Sequence, residues 1–156
     1  MFYQDTDKII LVTFDNFFFG LSFFWLEDAE LSKLIDLSDF SLETHEKWFA
    51  SLKTKDDYKV WGILLNNEPI GVCGLKNICN GQAEYWGYIG EKKYWGKGVG
   101  KLILGSIERT AKNFGINILN LKVNKRNVRA VKLYYNCYFK LKQETDVYFI
   151  MSKEIK

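Results

Sequence analysis

The stretch Tyr94-Trp95-Gly96-Lys97-Gly98-Val99-Gly100-Lys101-Leu102-Ile103-Leu104 carries three glycines at alternate positions, and an apolar, helix-forming run follows at once. Glycine lacks a Cβ, so it can take a positive φ and press close against a ligand. The N–H groups of a helix's first turn have no partner within the helix, and the helix dipole places partial positive charge there. A glycine loop that opens into a helix is therefore a ready anion cradle. A tight strand-to-helix turn accounts for three glycines as well, so the motif needs support from the rest of the chain.

The common nucleotide motifs do not fit. A Walker loop ends in Gly-Lys-Ser/Thr, and here Lys101 precedes Leu102. A dinucleotide fingerprint spaces its third glycine differently and opens a βαβ unit near the chain start. This loop comes two-thirds of the way along, after aromatic strand-like sequence.

Reading outward, Ala83 to Gly90 has strand character and feeds the loop, and a helix runs from about Val99 to Phe114. Leu102, Ile103, Ile107 and Ala111 share one face of that helix, and Gly115 stands where a left-handed cap ends it. Ile118 to Val123 reads as a buried strand, Asn127 to Asn136 as a short helix, and Tyr138–Leu141 and Val147–Ser152 as closing strands. Upstream, Tyr58–Leu65 and Ile70–Ile78 flank the turn Asn66-Asn67-Glu68-Pro69 as a hairpin. Lys8 to Phe14 is a first strand. Two helical stretches follow, the first from Asp15-Asn16 through Ile35 and the second capped near Ser41 or Thr44, with an irregular segment around 36–42 between them. The expected class is α+β: a mixed, mostly antiparallel sheet that turns parallel where helix 99–114 crosses over.

Composition bounds the function. At 156 residues the chain is expected to form a single domain over 1–156. Its net charge of +3, from 22 basic and 19 acidic residues, is too balanced for a nucleic-acid binder. The basic excess gathers at 92–101 and 122–132, which suits a polyanionic cofactor. Cys73, Cys79 and Cys137 form no CxxC pair and read as small apolar fillers. With a single histidine no zinc constellation is expected. The start Met1-Phe2-Tyr3-Gln4-Asp5-Thr6-Asp7 lacks a basic leader, and the apolar run Phe17–Trp25 is too short for a span. A cytoplasmic location without membrane partners is the expectation.

Two motifs at matching separation carry a resemblance. Trp95-x-x-Gly98-x-Gly100 resembles the Arg/Gln-x-x-Gly-x-Gly/Ala loop of the GNAT superfamily of N-acetyltransferases, with Trp95 in place of Arg or Gln. Asn127-Val-Arg-Ala130-Val-Lys-Leu133-Tyr134, ending Tyr138-Phe139, resembles the family's Asn-x-x-Ala-x-x-Leu-Tyr…Gly-Phe, with Tyr138 for the usual glycine. The resemblance implies the GNAT fold, with splayed parallel strands around an acetyl-CoA cleft and no metal. It assigns Gly96, Lys97, Gly98, Val99, Gly100 and Lys101 to the pyrophosphate. It places the backbone of Tyr88, Ile89 and Gly90 along the pantetheine arm, with Asn127 hydrogen-bonding that arm or capping its helix.

Acetyl transfer to an amine needs an unprotonated nucleophile, an oxyanion donor and a proton for the leaving thiolate. Tyr134 is the candidate acid, since a phenol stays neutral at pH 7, while Tyr135 points about 100° away along the same helix. Glu84 is the candidate base, with a strand-end surface carboxylate as its alternative. His45 is a substrate contact or base, or else a surface or cap histidine.

The resemblance implies a small-molecule amine as acceptor. The pattern Trp25-Leu-Glu-Asp28…Glu43-Thr-His45-Glu-Lys-Trp48 resembles a GNAT branch that includes ribosomal-protein and spermidine acetyltransferases and those acting on nucleotide-linked aminosugars of the pseudaminic acid type. The last looks nearest. Trp25, Trp48 and Trp86, with Phe24 and Tyr85, supply aromatic surfaces for a base or sugar. A non-catalytic acyl-CoA-binding protein is the rival reading, and a homodimer is an open expectation.

Overall fold

The computed structural model describes Tyr3 and residues 7–156. The reading of the first six residues therefore falls, Tyr3 apart, outside the described residues. The chain runs β1 (Ile9–Thr13), α1 (Asn16–Leu26), α2 (Ala29–Leu34), α3 (Leu42–Ser51), β2 (Lys59–Leu65), β3 (Glu68–Cys79), β4 (Gln82–Ile89), α4 (Val99–Asn113), β5 (Ile118–Asn124), α5 (Val128–Asn136), β6 (Lys140–Glu144) and β7 (Tyr148–Glu154).

Seven strands form one sheet in the order β1-β2-β3-β4-β5-β7-β6. Every pairing is antiparallel except β4 with β5, the two strands that α4 connects. That parallel pairing is short. It joins Gln82, Ala83 and Glu84 to Ile118, Leu119 and Asn120 and goes no further. Beyond it, β4 keeps its ladder to β3 as far as Ile89, and β5 keeps its ladder to β7 as far as Asn124. The sheet therefore splits between Tyr85 and Leu121 into a V-shaped opening. This is the GNAT arrangement of a mixed, mostly antiparallel sheet flanked by helices.

Two apolar cores hold the V open. On one face α4 and α5 bury Ile103, Leu104, Ile107 and Tyr134 against Ile63, Leu75, Leu119 and Met151. On the other, Phe14, Phe18, Trp25, Leu26 and Leu31 pack with Val72. Burial of this many large side chains, each worth roughly 1.5–3 kcal/mol, fixes the helices on either side of the sheet.

Local chemistry sets the element ends. Asp15 and Asp28 accept from the backbone N–H of Phe18 and Leu31 to cap α1 and α2. Ser41 and Thr44 close a reciprocal capping box on α3. The expected two helical stretches are thus three helices, because the Asp28 cap starts a new helix where a continuation was expected. Leu102 is only half-buried, while Leu104 and Ser106 join the packed face of α4. The strand expected from Tyr138 begins at Lys140 instead, and Cys79 is exposed rather than a core filler. Among the described residues no helix is long and apolar enough to cross a membrane.

Candidate active site

The glycine loop sits at the mouth of the V, where β4 ends and α4 begins. Gly96 and Gly98 have φ of 70° and 84°, the left-handed region that costs other residues roughly 1–2 kcal/mol. Gly98 is the N-cap of α4 and offers no side chain to its first turn, so those N–H groups stay available. Gly100 serves packing. A Cβ there would come within 2.7 Å of Leu133 on α5. The loop thus closes one helix against another and leaves the first turn of α4 without a side-chain cap.

Two adjoining cavities fill the V. One, of about 180 Å³, is lined by Gly96, Gly98, Val99 and Gly100, by Tyr88 and Ile89 of β4, and by Asn127, Arg129 and Tyr134 of α5. The other, of about 610 Å³, reaches from Tyr134 and Asn127 past Trp86 and Tyr88 to His45, Trp48 and the 34–40 segment. Tyr85, Gly87, Tyr88, Asn127, Ala130 and Tyr134 border both.

Tyr134 is buried, edge-on to Tyr85 at 6.5 Å and to Phe139 at 5.7 Å between ring centres. Burial, with a smaller contribution from Cys137, pushes its phenol up to about 12. Such a group stays protonated through neutral pH. Tyr135, the next residue, is 45% exposed and borders neither cavity. Asn127 is the α5 cap, its side chain accepting from Ala130 N–H at 3.3 Å, and it also lines both cavities.

The far wall of the larger cavity is aromatic. His45 stacks between Phe19 at 4.7 Å and Trp48 at 5.3 Å. Trp48 meets Trp86 edge-on at 6.2 Å, and Trp86 stacks on Tyr88 at 6.3 Å. The Trp86 indole lies over Gly74, where a Cβ would overlap it. Its N–H approaches the Tyr58 phenol without reaching hydrogen-bond geometry. His45 is neither a surface nor a cap histidine. It is buried, with Nε2 2.7 Å from Ser22 Oγ, and desolvation holds its imidazole below the ordinary histidine value. Burial keeps the neighbouring Tyr88 phenol protonated.

Three expectations change. Trp25 does not reach either cavity: it is 3% exposed and packs on Gly90, where any Cβ would overlap the indole. Glu84 also lies outside both. Its carboxylate pairs with Lys76 Nζ at 3.2 Å across the β3–β4 register, and it is Lys76 that lines the larger cavity. Lys97, Lys101 and Gly90 do not line the glycine-loop cavity; Lys97 contributes its carbonyl, which accepts from Tyr3 N–H at 3.0 Å.

Sequence reasoning missed four charged residues that face the larger cavity: Asp36, Asp39, Lys76 and Lys122. Asp36 is held by Asn124 Nδ2 at 2.9 Å. Asp36 and Asp39 have φ of 56° and 52°, so the segment read as irregular is a shaped loop that turns two carboxylates toward the cleft. Aspartate tolerates that conformation, which is the one signal the sequence held. Among the described residues no cluster of three or more His, Cys, Asp or Glu side chains could hold a metal ion.

Residues 22–139 match the Acetyltransferase (GNAT) family. The chain belongs to the GNAT acetyltransferase family. As a GNAT protein it is an acyltransferase, of a family whose donor is acetyl-CoA. Relatives agree. The uncharacterized N-acetyltransferase YycN of Bacillus subtilis is 35% identical over 137 residues, spanning 84% of this chain and 79% of that protein. The acetyltransferase PseH of Campylobacter jejuni is 26% identical over 136 residues, 86% and 85% of the two chains. The crystal structure of Campylobacter jejuni PseH in complex with acetyl coenzyme A superposes with a TM-score of 0.74 at 22% identity, covering 96% of this chain and all of that one. The GNAT fold is thereby shared.

Proposed function

We propose that this acetyltransferase moves the acetyl group of acetyl-CoA to the amino group of a nucleotide-linked aminodeoxysugar. The observation that carries the reading is the make-up of the acceptor cavity. Aromatic walls from Phe40, Trp48, Trp86 and Tyr88 stand beside two ammonium groups, Lys76 and Lys122, and two carboxylates, Asp36 and Asp39. A base or sugar stacks on the first, a diphosphate pairs with the second, and a substrate ammonium meets the third. A polyamine would favour carboxylates without the lysines. A volume near 610 Å³ suits a ligand of this size. Relatedness to PseH points the same way.

The donor's pyrophosphate would lie on the amides of Gly98, Val99 and Gly100, with the pantetheine arm passing along Tyr88 and Ile89 toward Tyr134. The unprotonated amine attacks the thioester carbonyl carbon, a C–N bond forms and the C–S bond breaks. The thiolate collects a proton from Tyr134. The nitrogen sheds one, for which Asp36 and Asp39 are the carboxylates at hand. Trp48 and Trp86 hold the acceptor, and His45 braces that wall from beneath.

A thiol-release assay with acetyl-CoA tests the proposal against uridine-diphosphate aminosugars, spermidine and peptides with free N-termini. Preferred turnover of a nucleotide aminosugar is the expected result. Turnover confined to spermidine or peptides overturns the acceptor assignment, and CoA binding without turnover of any amine indicates a binding protein.

A further inference from the structure

Position 95, where the resembling family loop carries Arg or Gln, holds an indole with an unusual setting. Trp95 Nε1 donates to the Ile89 carbonyl at 2.8 Å, which ties the loop to the end of β4. Two cations lie over the ring, Lys92 Nζ at 5.7 Å and Arg129 Cζ at 5.1 Å from its centre. They differ in what else they hold. Lys92 sits 2.8 Å from Asp28 and 2.9 Å from Glu30, so its charge is already matched. Arg129, on the first turn of α5, is exposed and has no carboxylate partner among the described residues. It lines the small cavity together with Gly96 and Gly98. An unmatched guanidinium therefore borders the same small cavity as the start of α4.

We infer that Arg129, laid over Trp95, is the side-chain clamp on the donor's pyrophosphate, replacing the arginine or glutamine absent from the loop. A guanidinium is planar and always charged, and its fork pairs two phosphate oxygens at once. Stacking on the indole restricts its rotamers and orients the fork before the ligand arrives. The clamp reaches the phosphates from α5, opposite the backbone amides, so the two walls grip the same group. The inference rests on acetyl-CoA as donor and is independent of the acceptor.

Calorimetric titration of the full chain with CoA and with dephospho-CoA tests it, using Arg129→Ala, Arg129→Lys and the double variant Arg129→Ala/Trp95→Arg. Arg129→Ala should weaken both ligands by fivefold or more and flatten the dependence of affinity on salt. Arg129→Lys keeps the charge without the fork and should recover part of the loss. Arginine at position 95 in the double variant should recover affinity from the other wall. A loss below fivefold for CoA overturns the clamp. So does a loss seen with CoA but absent with dephospho-CoA, which would put Arg129 on the 3′-phosphate. A wild-type chain that binds no CoA fails the donor reading itself, whereas wild-type binding with Arg129→Ala unchanged fails only this inference.

Discussion

Nε2 of His45 lies 2.7 Å from the hydroxyl of Ser22, in a layer where the imidazole is stacked between Phe19 and Trp48. A ring in that setting is stable neutral and costly to charge. Desolvation lowers its folded-state value below the ordinary 6.5, against a weaker opposing pull from the Phe19 carbonyl. The unfolded chain therefore binds the proton more readily than the folded one. Stability from this group is complete above about pH 6.5 and declines as the pH falls from there toward the folded-state value. Melting curves of the wild type between pH 8 and 5.5 should show this decline, and His45→Gln should flatten it. A wild-type slope equal to that of the variant means that the imidazole is not the titrating group.

The Gly98 backbone gives a direct test of the cofactor loop. At φ 84° a substituent is strained by roughly 1–2 kcal/mol, and an aspartate would also set a negative charge against the donor's phosphates. Gly98→Asp should stay folded, since a Cβ there meets only the Tyr3 carbonyl at 3.9 Å. It should bind acetyl-CoA at least an order of magnitude more weakly by calorimetry. Unchanged affinity in a folded variant would remove the loop from the donor site.

Glu84 and Lys76 form a half-exposed pair at 3.2 Å, and pairs of this kind contribute roughly 0–1 kcal/mol. Glu84→Gln should leave the melting temperature nearly unchanged and the maximal rate within threefold, because the carboxylate does not reach the cavity. It frees Lys76, so the KM for an anionic acceptor should fall or hold, while Lys76→Ala should raise it severalfold. A tenfold loss of maximal rate in Glu84→Gln, largest at low pH, would restore Glu84 as the base.

Tyr138 occupies the position where a glycine is usual. Its φ is 71°, and the N–H groups of Phe139 and Tyr138 bond back to the carbonyls of Tyr134 and Tyr135 in a glycine-type helix ending. The ring is 79% exposed and lies beneath Lys153 Nζ at 5.9 Å, a lysine itself paired to Glu108 at 2.7 Å. Tyr138→Gly removes left-handed strain but adds unfolded-chain entropy, for a net gain of roughly 0.5–1 kcal/mol. That amounts to about 1–4 °C in Tm. A lower Tm in the variant would show that the exposed ring packs better than its exposure implies.

Sequence carried the elements and the loop because both are written locally. Alternating apolar residues, caps at Asp15 and Ser41, and glycines at 96 and 98 each act on their own neighbours. The acceptor cavity depends on relations between distant residues. Trp25 and Trp86 look alike in sequence and each packs on a glycine, Gly90 and Gly74, yet the α1 residue is buried and the β4 residue walls the larger cavity. Glu84 was legible as a strand carboxylate, but the register that hands its charge to Lys76 was not. Asp36 and Asp39 enter the cavity through left-handed backbone turns that no periodicity announces.

Tyr134 is the residue on which the proposed chemistry turns. It stands seven residues after Asn127, two turns along α5, at the boundary of the two cavities. Its phenol, pushed up to about 12, is a weaker acid than a free thiol at about 8.5. Proton transfer to the thiolate is therefore uphill unless the same buried setting raises the thiolate's basicity as the C–S bond breaks. Two consequences follow. The acid stays loaded, so the rate should show no alkaline fall attributable to this group below about pH 10. Removing it should also be expensive, since a positioned acid contributes on the order of 10²–10⁴ in rate. Tyr134→Phe keeps the ring contacts to Tyr85 and Phe139 and should melt and bind acetyl-CoA as the wild type does, with the maximal rate lowered within that range. Tyr135→Phe, on the exposed side of the helix, should change little. If both variants lose rate equally, or Tyr134→Phe loses less than about threefold, solvent protonates the thiolate and Tyr134 is a packing residue.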